Sequence, residues 1–441
     1  MKIGLEIHVA LPTKSKLFCS CGMDEAKPNT SICPICMGFP GSKPLLNEEA
    51  VRSALGIASA LHCEINDRMS FVRKIYFYPD LPKSYQITQL DGSIGIGGYL
   101  DTEDGRVRMR RVQIEEDPAK IVREGAFTLL DFNRSGTPLV EIVTEPDIKS
   151  EKALWSFLRA LRSVLYYLGD DINKELKTDL NISLAETRVE IKNITGIKNL
   201  IEAAKFEIER QTEIISENGK IASETRGYNE KRKTTESSRE KETQEEYGYI
   251  FDPDLAVFSL KGMTHNEPVY ISDIALKFEK DYKVNAKTFT ELTMFDRRAL
   301  ELIENFKGKY DIKNVVHALE RVKKYEKEGI SEKNFEEIIK LVAKDIVITG
   351  EIIAEVEAGR ADAIKHESMT AEELDRLISN FVDKNKDVLK DAEKNKKALN
   401  FIIGELSRKG NLNPKDVARR VHDIVAGLSA KKPESDDPAA F

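Results

Sequence analysis

The chain has 441 residues and a formal net charge of -7, from 68 Lys and Arg against 75 Asp and Glu. That length exceeds one ordinary core, so roughly two to four domains are expected, and the acidic balance excludes a surface that wraps nucleic acid as a whole, because phosphate binding depends on Lys and Arg displacing counterions. No run approaches the roughly 18 apolar residues of a membrane span, and the opening MKIGLEIHVALPTK lacks the basic, apolar and small-residue succession of a signal peptide; a cytoplasmic protein with no membrane partner is expected.

KIGLEIHVAL opens the chain as a strand, in which Glu6 and His8 lie two residues apart and so share a face. The next segment, CSCGMDEAKPNTSICPIC, has the form C-x-C, eleven residues, C-x2-C, and holds four of the five cysteines. In a cytoplasmic chain this points to metal or redox chemistry more than to disulfides. Zinc takes four thiolates tetrahedrally, and a site filled by four protein ligands leaves no position for a reactive water. A structural Zn2+ held by Cys19, Cys21, Cys33 and Cys36 is therefore expected. The plainer alternative, unligated buried thiols, fits a polar, Pro-containing loop poorly. Cys63, in ALHCEI, reads as a buried structural thiol.

Helical spacing marks 49–62, 150–168 and 198–216, and IYFYP, YLDTE, VRMRRVQIEE, FTLLDFN, PLVEIVTE, LNISL and RVEIKNI read as strands, an α+β pattern. GSIGIGGY lies between strands without the Walker spacing and reads as a turn with glycine at positive φ. Carboxylates interrupt the apolar strands. PLVEIVTE carries Glu141, and in RVQIEED the alternation puts Val112, Ile114 and Glu116 on one face and Gln113, Glu115 and Asp117 on the other, so Glu116 shares the inward phase. An unpaired buried carboxylate is costly. Either Glu6, His8, Glu116 and Glu141 form an oxygen-rich site suited to Mg2+, an ion that bridges phosphates, or each glutamate pairs with a cation such as Arg73, Lys74, Arg110 or Arg111. The remaining histidines, His62, His265, His317, His366 and His422, have no ligand spacing, and no Ser-His-Asp arrangement can be placed.

From about residue 290 Ala, Leu, Ile, Glu and Lys recur at helical spacing, so the last third should be helical. Thr370 and Glu373 form a capping box in DAIKHESMTAEELDRLI. Asn413-Pro414 opens a helix through VARRVHDIVAG. SAKKPESDDPAAF, charged and poor in apolar residues, should be disordered. KNKDVLKDAEKNKK and SRKGNLNPKDVARR gather Lys and Arg, and read either as solvated helix faces or as a contact for a tRNA backbone recognised by shape.

GLEIHVAL, the cysteine segment ending CPICMGFPGSKPLLN, RKIYFYPDLPKSYQIT, QIEEDPAK and DFNRSGTPLVEIVTEPDI together closely resemble the B subunits of the tRNA-dependent aspartyl/glutamyl-tRNA(Asn/Gln) amidotransferases. The resemblance is almost continuous to about residue 285 and resumes at KKALNFIIGELSRKGNLNPKDVARRV. It implies a glutamine-synthetase-like catalytic cradle with an antiparallel sheet over 1–288, containing the zinc-binding loop 19–36. An all-α connecting domain over 289–365, a helical tRNA-binding tail over 366–428 and a disordered end at 429–441 would follow.

The implied activity is ATP- and Mg2+-dependent phosphorylation of the side-chain carboxylate of Asp or Glu mischarged on tRNA(Asn) or tRNA(Gln). Ammonia channelled from a partner amidase (glutaminase) subunit then displaces the phosphate, and a small third subunit clamps the heterotrimer. The family's catalytic Mg2+ site carries over onto Glu6, His8, Glu116 and Glu141. Its nucleotide neighbourhood carries over onto Lys74 and Tyr76, with Asp179 and Asn181 of TDLNIS and Lys192 of VEIKN as further candidates. Lys74 and Tyr76 equally fit an ordinary aromatic strand. Phosphoryl transfer is promoted mainly by alignment and charge neutralisation, so the absence of a Ser or Cys nucleophile is consistent with glutamine hydrolysis on another chain.

Two departures stand out. Where many relatives read DYRYFPEPDL this chain has EYGYIFDPDL, so Gly248 replaces an arginine and Asp252 a glutamate. LKTD at 176–179 stands where LRCD is frequent, and Lys177 lacks the planar fork of arginine. Two rival readings stay open at this level. The related cradle subunit of the asparaginase-coupled Glu-tRNA(Gln) amidotransferase shares these motifs but carries a large inserted domain, for which 441 residues leave no room. A non-catalytic, zinc-stabilised tRNA-binding subunit would pair the carboxylates with cations instead.

Overall fold

The computed structural model describes residues 1–23, 27–169, 174–240, 248–325 and 329–364, together with two isolated later positions. The expected tail over 366–428, with helix starts at Thr370 and Asn413, and the expected disordered end at 429–441 lie outside the described residues. The chain divides into two units, Met1–Ile271 and Ser272–Phe441.

The first unit begins with β1 (Lys2–Ala10), α1 (Glu48–Ala60), β2 (Glu64–Ile65), β3 (Arg68–Met69), β4 (Val72–Ile75), β5 (Tyr85–Thr88), β6 (Gly95–Ile96), β7 (Tyr99–Thr102) and β8 (Gly105–Glu116). It continues with β9 (Lys120–Glu124), β10 (Phe127–Asp131), β11 (Pro138–Thr144), α2 (Glu151–Leu168), β12 (Lys177–Ser183) and β13 (Val189–Thr195). It closes with α3 (Ile197–Ser216), β14 (Glu224–Asn229), β15 (Thr234–Glu240), β16 (Gly248–Phe251) and β17 (Phe258–Ser259).

The helices start where the sequence offers caps. The Asn47 side chain accepts from the backbone N–H groups of Glu49 and Ala50 at the head of α1, and the Ser150 hydroxyl accepts from Ala153 at the head of α2. Helix α2 stops at Gly169, whose φ of 115° is open to glycine at little cost. Gly97 and Gly98 in GSIGIGGY have positive φ as expected, and a Cβ on Gly98 would lie 2.5 Å from the Leu61 carbonyl oxygen. The expected strand IYFYP is shorter than the sequence reading: β4 ends at Ile75, since Pro79 cannot donate to a ladder and restricts Tyr78 before it.

One ten-stranded sheet organises the unit, in the order β15-β14-β13-β12-β1-β11-β8-β6-β2, with β7 paired to β8. The N-terminal strand β1 is central, antiparallel to both β11 and β12. The sheet is not wholly antiparallel as expected: β13 and β14 run parallel. A parallel pair needs a long crossover, and α3 lies between them in the chain to supply it.

Alternation separates the two faces. Ile3, Leu5, Ile7 and Val9 of β1, Val112 and Ile114 of β8, Val140 and Ile142 of β11, and Leu180 and Ile182 of β12 are all buried in one core with the apolar sides of α1, α2 and α3. Helix α2 contributes Leu154, Phe157, Leu158, Leu161 and Leu165 at helical spacing. The opposite face carries Glu6, His8 and Glu141, and it is there that the site lies.

The second unit is helical over its described residues: α4 (Ile271–Tyr282), α5 (Ala286–Thr293), α6 (Arg297–Phe306), α7 (Ile312–Tyr325), α8 (Glu332–Val342) and α9 (Gly350–Glu357), then a 3-10 turn at Ala361–Ala363. Asn285, Asp296, Ser331 and Thr349 cap α5, α6, α8 and α9. Phe289, Ile303, Phe306, Val315, Phe335 and Ile339 fill its core, to which α4 adds Ala275 and Phe278. The boundary expected at 288 falls inside α5.

Candidate active site

Register fixes the site. In the ladders β1–β11 and β1–β12, His8 lies opposite Glu141 and Lys177, and Glu6 opposite Val143 and Asp179. Glu141 lies opposite Gln113 of β8. The alternation then puts Glu115 on the same face as Gln113 and Glu141. His8 Nε2 is 3.3 Å from Glu115 Oε1, 3.8 Å from Glu141 Oε2 and 3.9 Å from Glu6 Oε1. Thr88 donates to Glu115 at 3.1 Å, and Arg111 to Glu141 at 3.2 Å.

The structure thus brings Glu6, His8 and Glu141 together and leaves Glu116 elsewhere. Lys83 Nζ lies 2.5 Å and 2.6 Å from the two Glu116 oxygens, and the Ile87 N–H donates to the same carboxylate at 2.9 Å. Glu115 occupies the place expected of its neighbour. The sequence reading took the apolar phase of β8 as the site's phase. The apolar phase faces the helices instead, and Glu116 follows Val112 and Ile114 to that side.

Crowded carboxylates perturb one another. Burial, with Glu6 and Glu115 nearby, pushes the Glu141 carboxyl up to about 8. Burial pulls His8 down, but the Glu115 hydrogen bond and the charges of Glu115, Glu141 and Glu6 outweigh it and raise the imidazole to about 10. A proton on His8, together with Arg111, thus offsets the charge of these carboxylates.

The cluster lies at one side of a cavity of about 730 Å³. Glu6, Glu115 and Glu141 line it together with Lys74, Arg110, Arg111, Arg188 and Lys192, and β16 lays Tyr249 along its wall opposite Lys74. Of the proposed nucleotide residues, Lys74, Asn181 and Lys192 reach the cavity. Asp179 instead holds Lys192 Nζ at 3.1 Å and accepts the Asn193 N–H at 2.8 Å. Tyr76 falls outside β4, next to Tyr78 and 5.6 Å from Lys74 Nζ at its ring centre. Arg111 Nε, Gln113 Oε1 and Asn181 Oδ1, all on residues lining the cavity, are buried without a partner among the described residues. Buried polar atoms are nearly always paired, so these mark places for a bound polar group. Glu6, His8 and Glu141 offer ligand atoms within 4.8 Å of one another, with Glu115 beside His8, and the carboxylate oxygens suit Mg2+.

Cation pairing accounts for some carboxylates only. Arg110 binds Glu145 at 3.0 Å, and Arg73 binds the fully buried Asp252 at 2.9 Å and Asp254 at 2.8 Å. Gly248 pairs with Ile75 at the end of β4. Lys177 and Arg134 share Asp117, at 3.4 Å and 2.5 Å.

The second cluster matches the cysteine motif. Cys19, Cys21, Cys33 and Cys36 offer sulfur atoms that all lie within 4.8 Å of one another, and all four are free thiols. The Cys33 N–H donates to Cys36 Sγ at 3.2 Å. A hydrogen bond from the Cys19 thiol lowers Cys36 to about 4, against the effect of burial, and the same bond with burial drives Cys19 upward. Four sulfurs at this spacing fit the tetrahedral preference of Zn2+.

Residues 1–266 match the GatB/GatE catalytic domain. The chain belongs to this GatB/GatE family. Among its relatives are proteins named as the B subunits of aspartyl/glutamyl-tRNA(Asn/Gln) amidotransferases. That of Saccharolobus solfataricus is 36% identical over 461 residues, covering 93% of this chain and 95% of its own. That of Sulfolobus acidocaldarius is 37% identical over 456 residues, covering 93% and 96%, and that of Thermotoga maritima 36% over 475 residues, covering 96% and 98%. Within the GatB/GatE catalytic domain, sequence reasoning missed Glu115, Arg188 and Tyr249. Glu115 was legible in its shared phase with Gln113, whereas Arg188 and Tyr249 carry no local signal.

Proposed function

We propose that this chain activates and amidates the side-chain carboxylate of Asp-tRNA(Asn), Glu-tRNA(Gln) or both, with ATP as phosphoryl donor and ammonia from a partner amidase (glutaminase) subunit. The observation that carries the reading is the cluster of Glu6, His8, Glu115 and Glu141 on the face of the sheet that the helices leave open, at the edge of a cation-lined cavity. A sheet with helices on one face and a cavity on the other supports the reading as a glutamine-synthetase-like cradle.

Glu6, His8, Glu115 and Glu141 would hold Mg2+, whose charge neutralises phosphate oxygens when bound. Lys74, Arg111, Arg188 and Lys192 would bind the phosphates and hold the terminal phosphoryl group toward the substrate carboxylate. That carboxylate oxygen attacks phosphorus, ADP leaves, and an acyl phosphate forms. Ammonia attacks its carbonyl carbon, the C–O bond to phosphate breaks, and the amide forms with loss of a proton. Both steps depend on alignment and on excluding water, which would otherwise hydrolyse the acyl phosphate.

The reading includes a structural Zn2+ on the four cysteines, a small third subunit completing a heterotrimer, mischarged tRNA bound through the segment 366–428, and a cytoplasmic setting. Among the described residues no helix is long and apolar enough to cross a membrane. Coverage of 93% to 98% on both sides of the comparison favours the B-subunit type over an insert-bearing relative. The test is amide formation on each mischarged tRNA with partner subunits, ATP and glutamine. Glu115→Gln should lose at least about a hundredfold in tRNA-dependent ATP hydrolysis with its unfolding midpoint preserved; wild-type turnover by that variant overturns the proposed metal and catalytic assignment.

A further inference from the structure

Lys16 is fully buried, at 0% exposure, and is one of the largest side chains so enclosed. Its ammonium lies 3.6 Å from Cys36 Sγ and donates to the Phe132 carbonyl at 3.2 Å. Among the described residues no carboxylate forms an ion pair with it. A buried cation without a counter-charge is strongly disfavoured. The nearest atom able to carry negative charge is Cys36 Sγ, a member of the cysteine set. Four thiolates around a divalent metal form a dianion, and would supply it.

Phe132 is where this cation meets a second piece of the fold. The β9–β10 hairpin returns to the sheet through residues 130–136, and the cysteine segment is sewn to that return. Asn29 donates its backbone N–H to Asp131 Oδ1 at 3.1 Å and its side-chain amide to the Leu130 carbonyl at 2.9 Å, and its Oδ1 accepts from the Phe132 N–H at 2.7 Å. The Ser31 N–H donates to Asn133 Oδ1 at 2.8 Å, and Asn133 Nδ2 to the Lys27 carbonyl at 2.7 Å. Gly136, whose φ of 87° favours glycine, lies against the same pair: a Cβ there would sit in ordinary contact with Lys16 Cδ at 3.4 Å and Cys36 Cβ at 3.7 Å.

We propose that Lys16 is a positioning residue for the cysteine-bound metal: its ammonium balances the metal–thiolate charge and, through Phe132, locks the base of the β9–β10 hairpin to that centre. The inference rests on the Zn2+ reading above. It assigns Lys16 a task the ligands cannot perform, since no thiolate can balance the negative charge of the metal–thiolate centre. Partners outside the ligand set commonly govern metal affinity.

The test uses the full chain, purified under reducing conditions and loaded with zinc, and follows zinc extraction by a chromogenic chelator in wild type, Lys16→Met and Lys16→Arg. Lys16→Met should release zinc at least about tenfold faster, and Lys16→Arg, which keeps the charge, should stay closer to wild type. Hydrogen exchange on wild type alone provides the second measurement, independent of whether Lys16→Met folds. Removing zinc should speed exchange at the amides of Asn29, Ser31, Phe132 and Asn133 and leave β1 and β11 unchanged. A wild-type chain that takes up no zinc overturns the metal reading and this inference with it. Zinc bound by wild type but released equally slowly from Lys16→Met, or hairpin amides indifferent to zinc removal, overturns this inference alone.

Discussion

The carboxylate cluster comes from three strands, β1, β8 and β11, whose registers are set by the helix-covered core, whereas the cysteines come from a segment whose described residues form turns and one isolated bridge between Ser15 and Gly22. The first cluster is assembled before any ion arrives: apolar packing behind the sheet forces like charges together, and a proton on His8 relieves them. The second has no ladder behind it: its segment is held by hydrogen bonds from Asn29, Ser31 and Asn133, and on the proposed reading the ion completes it. On the proposed reading, the difference teaches that an ion placed for chemistry is held by structure paid for elsewhere, while an ion placed for structure would complete the core of its own loop.

The largest expected effect breaks the comparison at the carboxylate cluster. Glu141→Gln removes a carboxylate that its neighbours oppose, so activity should fall at least about a hundredfold while the unfolding midpoint of the metal-free protein holds or rises. A marked fall in both would mean that the cluster is a structural ion-pair network. Next comes the contrast between adjacent glutamates. Glu116→Gln leaves Lys83 enclosed without its counter-charge and should cost about 3 kcal/mol or more in denaturant-measured stability, whereas Glu115→Gln should spare stability and lose activity. If the two exchange behaviours, the assignment of faces is wrong.

Stripping zinc from the cysteine segment should have a smaller, local effect. ATP affinity, measured by titration of the full chain, should change by less than about threefold, because His8 and Glu141 are held by β1 and β11 and by no residue of that segment. A larger change would join the two clusters into one unit. The smallest effect concerns Cys63, which burial pushes up to about 12 from an ordinary value of 9. A group raised on folding lends full stability below its unfolded value and loses it as pH climbs through the folded one. Stability of the metal-free protein should therefore decline between about pH 9 and 12, and Cys63→Ala should make that decline shallower.

How much was legible in the sequence follows from the same contrast. The cysteine set is read from spacing alone, because its ligands are near in the chain and belong to one loop. Glu6, His8 and Glu141 are visible as polar residues in apolar strands. Which of Glu115 and Glu116 joins them depended on knowing which face of β8 the helices cover, a fact held by α1, α2 and α3 rather than by the strand. The strands β14 and β15 were not read at all: ETRGYN and TTESSRE have almost no apolar alternation, and they are kept in the sheet by a buried polar network. There Glu207, fully enclosed on α3, takes Arg210, Gln211 and the Thr235 hydroxyl. No local pattern announces a strand held that way. Arg188 and Tyr249 reach the cavity through topology and were out of reach for the same reason.

The central position of β1 has a consequence for the order in which the molecule is made. The strand that carries Glu6 and His8 emerges during synthesis well before both of its neighbours, Pro138–Thr144 and Lys177–Ser183, which are more than 120 residues downstream. It cannot pair until they exist. Contacts of such sequence separation fold slowly, after most of the chain entropy has been given up. The residues of β1 must therefore wait unpaired, and the closing of the sheet around them completes the core and the carboxylate cluster in the same event.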